Sequence, residues 1–159
     1  MQPKSDRNTT ALITLRIIVG TFFLLFGQYK VFGTSFIHGG FETYIKGFIA
    51  QGAFPWMKPV LQHMILPHAT LCAYMAGYGE LMIGLGLFFG VLTRTASGFG
   101  ILLMALLWAS GGYPGPHVAL WRYFGASLQW SVFAACFLAF IIGEPEAGWA
   151  LGPRLRKLF

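Results

Sequence analysis

Glu80 is the residue with the most chemistry to offer and the least comfortable setting. It lies near the middle of an apolar run, 69–91, about 16 Å from one end at 1.5 Å of rise per residue. An ionisable group at the centre of a membrane helix costs about 2.5–3.5 kcal/mol on insertion scales, so it is expected to face a bundle interior. Arg16 and Lys30 belong to another apolar run, 11–33, and share a helical face: Arg16, Gly20, Phe23, Gly27 and Lys30 step by 4, 3, 4 and 3. Glu80 has its own small-residue stripe of Ala73, Ala76, Gly77 and Gly84. Small residues let helix backbones approach closely, so the simplest packing sets these two faces together with Glu80 directed inward. With the helix ends flush, Arg16 and Lys30 are each offset in depth from Glu80 by roughly 10 Å, which leaves Gln28 and Tyr29 to help satisfy the carboxylate. Two roles fit. Glu80 is either a buried residue that fixes helix register, or part of a proton or quinone site with Lys30, Arg16, Gln28 and Tyr29.

Other chemistries find less support. His38, His63, His68 and His117 all map outside the apolar runs, whereas a buried haem needs axial histidines on facing helices. His63 and His68 are five apart across Pro67, poor spacing for two ligands on one helix. Cys72 and Cys136 fall near opposite ends of their runs, so no disulfide, CxxC or zinc set is expected. There is no GxSxG, phosphate loop or dinucleotide fingerprint. The reading is no catalytic residue, no metal and no intrinsic cofactor, with quinone the candidate ligand and lipid contact expected.

Composition says what must position these residues. Of 159 residues, 56% are apolar and only 10% charged, where a soluble domain carries about a quarter charged. The net charge of +6 comes without a basic run interleaved with aromatics, so nucleic acid is not the partner. Four apolar segments, about 11–33, 69–91, 96–113 and 121–142, reach or approach the roughly 20 residues that cross a bilayer. They predict a single all-α domain over 1–159, an integral membrane four-helix bundle. The first run lacks a small-residue cleavage site, which favours a retained anchor over a signal peptide. Between the first two spans, 36–66 reads as an amphipathic outer segment. Phe41, Tyr44, Ile45, Phe48 and Ile49 take one helical face, Gly52 to Pro55 breaks the pattern, and a second short helix runs on to Pro67. With the termini inside, the cytoplasmic side holds Lys4, Arg7, Arg16, Arg94, Arg154, Arg156 and Lys157, and the outside Lys30, Lys46, Lys58 and Arg122. The positive-inside bias therefore predicts a multi-pass protein with both termini cytoplasmic. Trp56, Tyr113, Trp121 and Tyr123 would form an outer aromatic belt.

Two blocks resemble the DoxX/DoxD family of small four-helix membrane proteins. The first runs Leu15-Arg16-Ile17-Ile18-Val19-Gly20 and on through Phe26-Gly27-Gln28-Tyr29-Lys30-Val31-Phe32-Gly33. The second is Glu80 through Gly84 with Gly90-Val91-Leu92-Thr93-Arg94-Thr95-Ala96. Arg16, Lys30, Glu80 and Arg94 match family positions, while Phe26 stands where the family has a histidine before glycine, so chemistry resting on that imidazole does not carry over. The resemblance implies a prokaryotic plasma (inner) membrane and other membrane-protein subunits as partners. It points to an accessory integral subunit of a larger respiratory or photosynthetic complex, contributing docking and packing surfaces. The alternative it implies is the membrane subunit of a quinone-linked oxidoreductase, similar to thiosulfate:quinone oxidoreductase, with Glu80 near a quinone or proton site. A transporter is the weaker third class, because one central carboxylate and no inverted repeat make a poor carrier.

Overall fold

A computed structural model describes residues 5–125 and 127–143, which are helical almost throughout, with no strand among the described residues. α1 is Ser5–Phe32, α2 Phe41–Ala50, α3 Lys58–Val60, α4 Ala69–Phe89, α5 Thr93–Gly111, α6 Leu120–Gly125 and α7 Leu128–Ile142. The four long helices form a ring in which α1 packs on α4, α4 on α5, α5 on α7 and α7 on α1. The α1–α4 seam is the most extensive of these contacts and the α4–α5 contact is thin by comparison. Two helices, Arg7–Phe32 and Lys58–Phe89, are long and apolar enough to cross a membrane, and Leu128–Ile142 is a shorter apolar helix. The outward faces are apolar too: Phe32, Met75, Met82, Phe99, Leu138 and Ile142 are each more than half exposed. Soluble monomers rarely expose contiguous apolar patches of this extent.

The core is aromatic and aliphatic. Phe23 of α1 meets Phe137 and Phe133 of α7 edge-to-face at centroid separations of 5.3 and 5.6 Å, the arrangement the ring quadrupole favours. Val19, Ile83, Leu87, Met104 and Phe140 fill in around them. At one end of the ring, α4 turns into α5 within a few residues. Gly90 ends α4 in the left-handed conformation at φ 67° while Val91 N–H bonds back to the Gly86 carbonyl, a helix stop that glycine makes cheaply. At the opposite end, α2 and the residues around α3 cap the ring. Ile45, Ala53, Met57 and Leu61 pack on Ala109 of α5. Two backbone bonds fasten this cap: Phe54 N–H to the Ala109 carbonyl (3.1 Å) and Tyr113 N–H to the Gly52 carbonyl (2.7 Å).

The boundary expected near Pro67 is present, while one other boundary and one side chain's burial differ from the sequence expectation. The break expected at Pro67 is there: Lys58–Phe89 is helical on both sides of it, but His68 leaves the helical region at φ −115°, ψ 29° and α4 begins at Ala69. A π-helical turn, Leu61–Ile65, and a 3₁₀ turn, Leu66–His68, absorb the proline, which has no N–H and would clash with the carbonyl four residues back in a regular helix. The segment expected as one span over 121–142 is divided into α6 and α7, leaving Leu128–Ile142 only 15 residues long. In the cap, Ile45 is buried as its spacing predicts, but Tyr44, placed on the same face, is 62% exposed.

Candidate functional site

The α1–α4 seam is built on glycine. A Cβ on Gly20 would lie 2.7 Å from the Phe88 amide nitrogen, one on Gly27 2.7 Å from that of Leu81, and one on Gly84 2.8 Å from that of Leu24. Gly77 in turn faces Val31 and Lys30. Backbone therefore touches backbone along the whole seam, and the antiparallel register is fixed: Gly20 opposite Phe88, Gly27 opposite Leu81, Val31 opposite Gly77.

That register sets Lys30 beside Glu80, and their side chains form an ion pair across the seam. The direct pairing corrects the depth offset expected from the sequence. The offset assumed flush helix ends, but α4 overhangs the end of α1, where Phe36, Ile37 and Ala73 pack together. The Glu80 side chain is 7% exposed and that of Lys30 24%. The Lys30 ammonium also sits 5.3 Å from the centre of the Phe36 ring, within cation–π range. Glu80 thus has one oxygen on Lys30, while Oε2 is buried with no hydrogen-bond partner among the described residues.

The remaining predicted site residues are elsewhere. Gln28 and Tyr29 are on the exposed side of α1, Tyr29 at 62%. Phe26, where the resemblance puts a histidine, is 58% exposed and faces away from the seam. Arg16 is completely buried. By the seam register it lies at the level of the α4–α5 turn, roughly 18 Å along the helix axis from Glu80. Thr93 and Ser97, one turn apart on α5, are also fully buried, and neither hydroxyl has a hydrogen-bond partner among the described residues. His38, His63, His68 and His117 are all exposed, and among the described residues no group of three or more His, Cys, Asp or Glu is placed to hold a metal.

Sequence reasoning missed two features. Phe36 completes the surroundings of Lys30, yet nothing in its spacing signals that the chain folds back over α1. An apolar groove of about 540 Å³ runs between α4 and α5, and it exists because that helix pair packs thinly, a tertiary property. The groove lies on a different face of α4 from Glu80. Its walls include Gly79 and Ile83 but neither Glu80 nor Lys30, and Thr95 supplies the one hydroxyl.

Compared with known proteins, the chain matches the family described as DoxX over residues 11–111. That stretch takes in most of α1, the cap, α4 and α5, and so both partners of the ion pair. Searches of curated proteins and of solved structures found no match.

Proposed function

The chain belongs to the DoxX family, and from that premise we propose that it is an accessory, non-catalytic integral subunit of a larger respiratory or photosynthetic membrane complex. It would sit in a prokaryotic plasma membrane as four spans with both termini cytoplasmic. The observation that carries this reading is the Lys30–Glu80 pair. The one buried carboxylate among the described residues is engaged by a lysine that also rests on Phe36 of the cap. These groups act as a strut between two helices whose glycines already hold them at backbone contact. The groove beside α4 has no ionisable lining residue, so a quinone headgroup there would meet a hydroxyl and hydrocarbon only. The exposed apolar faces suit lipid and neighbouring subunits alike. Purification of the tagged chain from its host in mild detergent tests the reading. A stoichiometric assembly with other membrane subunits is expected, and a solitary chain with full activity of its own refutes it.

One observation favours a second reading, a membrane subunit of a quinone-linked oxidoreductase. Glu80 Oε2 is buried and accepts no hydrogen bond from the described residues, so it is open to a proton or a ligand group. Glu80→Gln keeps the shape and removes the charge. Loss of quinone-linked turnover in a folded, assembled variant would favour this reading, and unchanged turnover would remove it.

A further inference from the structure

Thr93 and Ser97 are one turn apart on α5, and both side chains are fully buried. Neither hydroxyl has a hydrogen-bond partner among the described residues. Elsewhere the chain satisfies such groups locally: Thr14, Thr21 and Thr43 each donate to the carbonyl four residues back at 2.8–2.9 Å. Ser97 has the same outlet in the Thr93 carbonyl and does not take it. Leaving a buried hydroxyl unpaired costs more than turning it onto that carbonyl, so its direction implies another partner. Thr93, the first residue of α5, has only Phe89 of α4 four residues behind it, across the turn.

Spacing and chemistry define that partner. Cβ atoms one helical turn apart are about 5–6 Å from each other. The two hydroxyls do not bond each other across this gap, and it suits one oxygen about 2.8 Å from each. The core packs tightly around it. Ala96, between the two residues, shares one cluster with Phe137 and Phe140 of α7 and with Leu15 and Val19 of α1. Two hydroxyls supply the minimum of polar partners that a buried water needs, and Arg16, completely buried at the level of the α4–α5 turn, adds a third polar group to this end of the core. Water donates and accepts, as both hydroxyls do. An anion only accepts, and taking it out of water is far costlier.

We propose that Thr93 and Ser97 hold one buried water between their hydroxyls, on the core side of α5 next to the α4–α5 turn. The water is a fixed part of the fold, present whichever complex the chain serves.

The test is water-edited solid-state NMR of the full chain in lipid bilayers, with serine, threonine and methionine labelled. Magnetisation from water should reach the Cβ atoms of Ser97 and Thr93 well ahead of Met104, which is buried in the apolar part of the same core. Arrival no earlier than at Met104 overturns the site. Replacing chloride by gluconate should leave both resonances in place, and a shift would put an anion there instead. A stability titration in SDS gives an independent reading. Thr93→Val keeps the shape and removes the hydroxyl, and should lower the folded-to-unfolded ratio about fivefold. Ser97→Ala should lower it about threefold, because alanine returns some helix propensity. Each loss should shrink when the other hydroxyl is already gone, since both hold the same water. A Thr93→Val chain that is more stable than the natural one, as removal of an unsatisfied hydroxyl gives, overturns the proposal, and so do losses that simply multiply.

Discussion

A methyl group added at Gly27 would stand 2.7 Å from the Leu81 amide nitrogen, 3.0 Å from Leu81 Cγ and 3.2 Å from the Glu80 carbonyl carbon. Restoring an optimal contact of 3.5–4.0 Å requires α1 and α4 to part by about 0.8 Å or more. The nearest obstacle is backbone, so no rotamer change relieves it. Overpacking costs about 1–3 kcal/mol, and a rigid obstacle places Gly27→Ala in the upper part of that range. Alanine returns up to about 1 kcal/mol of helix propensity, leaving a net loss of about 1–2 kcal/mol. Gly98→Ala carries the same propensity gain with nothing within 4 Å of its Cβ, so it should stabilise. The two substitutions, identical in chemistry, are expected to move in opposite directions. Gly20→Ala presses on the Phe88 amide nitrogen at 2.7 Å. Combined with Gly27→Ala it should cost less than the sum, because one displacement of α4 relieves both. SDS titration of the purified chain in mixed micelles, followed by tryptophan emission, reads all four. A Gly27→Ala variant as stable as Gly98→Ala would refute the argument that backbone contact holds this seam.

Removing the carboxylate in Glu80→Ala leaves the Lys30 ammonium in the seam. Breaking a fully buried pair costs about 3–5 kcal/mol, but Lys30 is 24% exposed, so the expected loss in the same titration is about 2 kcal/mol after allowing for solvent screening. The double variant Lys30→Met with Glu80→Leu should recover most of it, and failure to do so would assign the pair more than a strut's role. Gly100→Ala puts a Cβ 2.5 Å from the Phe137 ring. It should destabilise the α5–α7 contact, and Phe137→Leu, neutral to harmful alone, should partly rescue it. Trp108 Nε1 donates to the Tyr123 carbonyl at 2.7 Å. Trp108→Phe should cost about 1 kcal/mol and raise hydrogen exchange across Leu120–Gly125; unchanged exchange there would mean that this bond does not hold α6.

The seam was largely legible in the sequence because small residues at spacings of 3 and 4 leave few alternatives. Arg16, Gly20, Gly27 and Lys30 must share a face, and glycines are drawn to glycines where lipid supplies no hydrophobic drive. What spacing does not carry is the axial stagger. Glu80 was placed by counting from the end of its apolar run, whereas backbone contact fixed it opposite the last turns of α1, and an error of two helical turns hid the ion pair. Pro67 was the easier signal: a proline ordinarily marks a helix start, and α4 begins just after it at Ala69, with His68 outside the helical region. The exposed sides of Gln28 and Tyr29 follow from the same register, since residues beside Gly27 turn away when Gly27 touches Leu81. The α4–α5 groove had no sequence signal, because it comes from the width of a gap between two helices.

The two backbone bonds that fasten the cap carry a consequence for the order in which the chain is made. The Phe54 N–H finds its acceptor in Ala109 and the Gly52 carbonyl finds its donor in Tyr113, in each case about 55–61 residues further along. At a synthesis rate of about 5–20 residues per second, the cap exists for roughly 3–12 s before the residues that complete it have been made. During that interval the cap and the first two long helices form a nascent intermediate whose outer end is unsealed; α5 and Tyr113, on arrival, lock the cap, and α7 closes the ring later. A ribosome stalled between these points would therefore hold the protein in its most vulnerable form, and a membrane chaperone acting on it would have that interval in which to engage.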